Sequence, residues 1–104
     1  MAERTAPVTC QCPAGPVLVS AHVRGGLALH PHPDLAGGRG PWTITHVGSG
    51  LAVLKGIPTR AEGVLLLRVL LGFGDWTRAA GVLQRDRALS RRVRPIWDRL
   101  RAAP

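Results

Sequence analysis

The run WTITHVGSGL at residues 42–51 most constrains the fold, because it joins strand alternation, a glycine-rich reversal and a large aromatic side chain in one short stretch. Strand side chains alternate with period two, so Trp42, Ile44 and His46 share one face while Thr43, Thr45 and Val47 share the other. Gly48, Ser49 and Gly50 supply the positive-φ freedom of a tight turn. Residues 51–54 then return antiparallel, and the β-branched and aromatic content of the hairpin suits a half-buried sheet. The hairpin is expected to give an apolar helix a surface to cover, with a buried Trp42 as its anchor.

The chain before this hairpin divides at its prolines and glycines. Residues 1–16 hold Pro7, Pro13, Gly15 and Pro16 without apolar periodicity, which predicts an irregular lead-in to a single domain over residues 17–104. Residues 17–24, VLVSAHVR, read as a strand with Val17, Val19, Ala21 and Val23 on one face. Gly25-Gly26 is a two-residue hairpin signal that pairs Ala21 with His30 and leaves His22 on the opposite face from His30 and His32. Residues 30–41, HPHPDLAGGRGP, are turn chemistry throughout and predict a surface loop.

Helical signals follow the central hairpin. Thr59 is placed to cap a helix over residues 60–72, with Glu62 able to reach back. Val64, Leu65, Leu66, Leu67, Val69, Leu70 and Leu71 wrap most of its circumference, which predicts burial against the sheet, although so short a Val/Leu run also fits a strand. Gly72-Phe73-Gly74 ends it, and Asp75 is a cap for a second helix starting at Trp76. Val82, Leu89, Val93, Ile96 and Leu100 then form a helical stripe, which Pro95 is expected to interrupt within the few residues before it. Strands first and helices after predict an α+β domain: a small antiparallel sheet of two hairpins, three to four strands, covered by two or three helices.

With 104 residues there is room for one domain and one modest core. The longest apolar piece, residues 64–73, is short and carries Arg68, and the N-terminus lacks the pattern of a signal peptide, so a cytoplasmic protein is expected. The formal charge of +8 is uneven: residues 1–52 hold three Arg against Glu3 and Asp34, while residues 53–104 hold eleven basic residues against four acidic ones. Such an excess attracts polyanions.

Three constellations bear on chemistry. Cys10, Cys12, His22, His30, His32 and His46 are the candidate zinc ligands, but a Cys-x-Cys spacing and histidines on opposite faces argue for free thiols and against a metal or other cofactor. Ser49 lies three residues after His46, close enough for a nucleophile and its base, yet the G-x-S-x-G elbow is absent and the pair reads as a turn serine beside a sheet histidine. The six carboxylates are scattered, so no enzyme is expected. The third constellation is Arg85, Arg87, Arg91, Arg92 and Arg94, with Arg99 and Arg101 beyond Pro95, a donor array able to neutralise phosphates along a nucleic acid. These contacts would set affinity and not sequence; beside them stand Gln84 and Trp97, of which Trp97 is expected in the core.

The sequence thus points to a non-catalytic basic module binding nucleic acid, DNA ahead of RNA. Two other readings stay open: an accessory protein that binds and inhibits an acidic host protein, and a homodimer through Val82, Leu89, Val93, Ile96 and Leu100. The pattern W-T-I-T-H-V-x-S-G-L followed by an apolar helix and Asp75-Trp76 resembles one in small uncharacterised proteins of phages and mobile elements, over residues 42–76. That resemblance implies an accessory protein and no reaction. In topology alone, the order of sheet then helix is similar to the arm-type DNA-binding domain of tyrosine recombinases.

Overall fold

The computed structural model describes residues 4–12, 15–31 and 41–102. One antiparallel sheet carries its strands in chain order, β1 (Arg4–Cys12), β2 (Gly15–Arg24), β3 (Leu27–Pro31), β4 (Trp42–His46) and β5 (Ala52–Ile57). Three helices follow among the described residues, α1 (Arg60–Phe73), α2 (Ala80–Arg85) and α3 (Arg87–Ala102), so the class is α+β, with five strands described where three or four were expected. The extra strand is β1, which corrects the irregular lead-in: it pairs with β2 from Arg4 opposite Val23 to Cys12 opposite Gly15. Thr5, Pro7, Thr9 and Gln11 face out while Val8 and Cys10 are buried, an alternation that Pro7 does not prevent because β1 ends the strand order.

The sheet does not lie flat. Four neighbouring strands laid flat would hold β1 and β4 about 14 Å apart, yet Cys10 Sγ on β1 lies 3.8 Å from Thr45 Oγ1 on β4. Beyond it the Gln11 N–H donates to the Gly50 carbonyl at 2.8 Å, tying β1 to the β4–β5 turn. The sheet therefore rolls toward a barrel. Val8, Ala21 and Ala28 form a small core on its concave side, joined by the buried Cys10, His30, Thr43 and Thr45. Val17, Val19 and Val23 share the Ala21 face, as alternation predicted, and His22 pairs with Leu29 on the other.

The convex side of β3, β4 and β5 carries the main core. Leu27, Leu29, Ile44, Leu54 and Ile57 pack there against Leu66, Leu67 and Leu70 of α1, with Trp76, Leu83 and Leu89. Register shifts in the β4–β5 pairing, Ile44 opposite Leu54 and Trp42 opposite Ile57, bring both β5 side chains to this face. Thr59 caps α1 as expected, its hydroxyl accepting the Glu62 N–H at 3.1 Å. The helix is not buried all round: Leu65 and Val69 are exposed, because β3–β5 cover one side of it alone. Trp42 is only partly buried at the margin of this core, and Trp76 takes the central place.

Two further expectations are corrected in the C-terminal third. Asp75 accepts the Thr77 N–H and hydroxyl and closes a turn, and the next helix starts at Ala80 and not at Trp76. The helical break falls at Asp86, and α3 continues through Pro95. Asp86 Oδ1 accepts the Leu89 N–H at 3.0 Å, the bond of an N-cap. Pro95 is tolerated because it sits on the exposed side of α3, where water can satisfy the carbonyl it leaves unbonded. No helix among the described residues is long and apolar enough to cross a membrane.

Candidate nucleic-acid interface

Helical phase decides where the arginines go. At about 100° per residue, Leu89, Val93, Ile96 and Leu100 make one narrow face of α3, and this face is turned into the protein: Leu89 is buried and the other three are partly buried against the main core. The stripe expected to build a homodimer is thus committed to the chain's own core, apart from Val82 on α2, which stays exposed. Arg87, Arg91 and Arg94 fall on the opposite side of α3 and are all exposed. Arg87 and Arg94 are about 10 Å apart along the axis, room for about three successive phosphates of one strand.

The remaining predicted arginines are dispersed around this row. Arg92 and Arg99 form a second exposed row on the flank, and Arg92 Nη1 donates to the Phe73 carbonyl at the end of α1, 3.0 Å away. Arg85 ends α2 and points to solvent. Arg101 shares the phase of the first row, but its side chain lies outside the described residues. Asp98 falls in that row too and reduces its net charge. Arg78, absent from the predicted set, is a joint: its Nε donates to the Asp75 carbonyl at 2.8 Å and its Nη2 to Asp86 Oδ2 at 3.2 Å. The Leu89 N–H and the Arg78 guanidinium hold the Asp86 carboxyl below the ordinary range, and the Thr77 donors do the same for Asp75.

Beside the arginine row lies a groove of about 480 Å³ between the β4–β5 turn and the two C-terminal helices. Val53, Trp76, Leu83 and Leu89 give it an apolar floor. One wall is α3, where Ser90, Arg94 and Trp97 lie at i, i+4 and i+7 and so share a face, with Arg91 next to it. Gln84 closes the side of α2. Trp97 is 45% exposed, which corrects its assignment to the core. The signal was present in the sequence: Trp97 lies about 70° off the centre of the apolar stripe, in phase with Ser90 and Arg94.

His46 and Ser49 also line the groove. The Arg78 carbonyl can only accept, so His46 Nε2 carries the proton donated to it at 2.9 Å, and Nδ1 accepts the Ser49 hydroxyl at 2.8 Å. This is the order of a nucleophile, a base and an orienting group. The same bonds also close the turn, since Ser49 Oγ takes the Leu51 N–H at 3.2 Å, and they pin the hairpin to the segment between α1 and α2.

A second polar group is sealed on the concave side of the sheet. His30 Nδ1 donates to the Pro31 carbonyl at 2.8 Å, leaving Nε2 to face Thr45 Oγ1 at 2.7 Å and Cys10 Sγ at 3.3 Å. Of the six candidate zinc ligands the structure brings Cys10 and His30 together, whereas His22 and His46 belong to the convex side and His32 lies outside the described residues. No group of three or more candidate ligands occurs among the described residues. Burial pushes the Cys10 thiol above its ordinary value, the Thr45 hydroxyl offsets part of this, and nearby Cys12 adds to it. A raised folded value favours the protonated thiol, so this stability is full below the unfolded thiol range of about 8.5 and is lost as pH rises through the folded value. A thiol reagent at neutral pH is therefore expected to label Cys12, half-buried, at least about tenfold faster than Cys10. Equal rates by mass spectrometry would show that the concave side opens freely.

Comparison of the chain with protein-family models, with curated proteins and with solved structures finds no match in any of the three.

Proposed function

We propose that this protein is a small, basic, non-catalytic binding module that contacts nucleic-acid backbone through α3. The observation that carries the reading is the phase of that helix: the side turned away from the core holds Arg87, Arg91 and Arg94 in one exposed row. Guanidinium groups suit phosphate because their planar fork donates two hydrogen bonds at once. Arg92 and Arg99 extend the basic surface on one flank, and Arg85 lies across the helical break. Contacts of this kind supply affinity and register and carry no sequence preference. An accessory role in a mobile element, which the resemblance of residues 42–76 implies, is compatible with such a module.

The experiment is a salt titration of binding to random-sequence oligonucleotides. Log affinity should fall linearly with log salt, and replacing Arg87, Arg91 and Arg94 together by Ala should reduce the slope by about 2 to 3, since each lost phosphate contact removes about 0.7 to 0.9. A wild-type slope near zero, or a slope that the triple replacement leaves unchanged, ends this reading. The alternative reading, an inhibitor of an acidic host protein, would show itself instead as a complex that survives nuclease treatment.

A further inference from the structure

We infer that the groove beside the arginine row is a site for an unpaired nucleobase, so that the preferred ligand of this protein is single-stranded nucleic acid. The inference rests on the backbone-binding reading and adds to it what the strand must look like. The groove has the size of a small-ligand site, about 480 Å³, and an apolar floor, which by itself calls for an apolar ligand surface. Its wall supplies a half-exposed indole at Trp97 with Arg94 one turn before it on the same helical face. A base against Trp97 would leave its own phosphate within reach of Arg94, and the neighbouring phosphate near Arg91. Ser90 and Gln84, also on the wall, offer hydroxyl and amide groups to the polar edge of a base.

This arrangement discriminates by physical access. In a duplex the base faces are stacked and their pairing edges engaged, so the arginine row can reach the phosphates while the groove stays empty. In a single strand every base has a free face, and stacking on an aromatic side chain tolerates all of them. The apolar floor and the cations therefore act on the same nucleotide, a combination that a purely acidic chain such as polyglutamate would satisfy at the cations alone.

The test measures binding of the full chain, at one low salt concentration, to four probes: a short single strand, a duplex of the same length, an abasic strand with the same phosphates, and polyglutamate. The single strand should bind at least about tenfold more tightly than the abasic strand, the increment of one stacked base. Trp97→Ala should abolish that difference, Trp97→Phe should retain most of it, and thermal melting of both variants should verify that they fold. Equal binding of single strand, duplex and abasic strand, with no effect of Trp97→Ala, overturns the groove inference and leaves the backbone reading standing. Polyglutamate binding as tight as the abasic strand, or no salt-sensitive binding to any nucleic acid, overturns both.

Discussion

Trp76→Ala should lower the free energy of unfolding by about 3 to 5 kcal/mol, the range for removing a fully buried large aromatic. Trp76 is 4% exposed and belongs to the core that joins the sheet to all three helices. Its indole N–H donates to the Leu70 carbonyl, so the substitution opens a cavity and also leaves a buried acceptor without its donor. Trp42, which the sequence marked as the anchor, is only half-buried at the core's margin, and Trp42→Ala should cost less, about 1 to 3 kcal/mol. Urea unfolding of the two variants decides between them. A Trp76 loss smaller than the Trp42 loss would show that the hairpin, and not the segment after α1, organises the core.

Gly26→Ala should be the most damaging change to a residue with no side chain, at more than about 2 kcal/mol. Its φ of +88° already disfavours any L side chain, and a Cβ there would lie 2.5 Å from the Trp76 carbonyl oxygen and 2.9 Å from the Thr77 nitrogen. These are backbone atoms, which cannot rotate aside. The turn of the β2–β3 hairpin and the segment after α1 are in direct contact at this point, and the Gly26 carbonyl also accepts the Val47 N–H at 2.9 Å. The alanine must therefore push apart the elements that place His46, Trp76 and Arg78. Thermal unfolding reads the effect, and a melting temperature within a degree or two of wild type would mean that the close approach at Gly26 yields easily.

Features set by neighbours in sequence were legible before the structure. The face shared by Val17, Val19, Ala21 and Val23, the Gly25-Gly26 reversal and the Thr59 cap each follow from alternation, positive φ or a side chain within a few residues of its partner. The same holds for the apolar stripe of α3 and, by subtraction, for the exposed arginines. Where a local rule failed, tertiary context overrode it. Pro7, Pro13, Gly15 and Pro16 together were read as an irregular lead-in although Pro7 at an edge position needs no ladder bond, and Pro95 was read as breaking a helix whose exposed side tolerates the loss.

The candidate site was legible in its charges and not in its shape. The row of Arg87, Arg91 and Arg94 depends on the period of a single helix, but the groove needs Val53 from β5, Trp76 from the segment after α1, Leu83 from α2 and Trp97 from α3. Trp97 was counted as core although its phase on α3 sets it off the apolar stripe; how far it is exposed was decided by how α3 packs against β5. His46 and Ser49 show the same division. Their spacing of three residues set them side by side, while the structure adds their mutual hydrogen bond and its third member, the Arg78 carbonyl, from a chain segment 32 residues away.

By itself, then, the sequence of this protein determined strand faces, turns, caps and the sign and phase of its charge, because each is an interaction between residues close along the chain. Only the tertiary structure decided that the sheet rolls until Cys10 meets Thr45, that Trp76 and not Trp42 fills the core, and that an apolar groove opens beside the arginine row. Those outcomes depend on which distant surfaces pack best together, a balance of buried area and chain entropy that local periodicity does not encode.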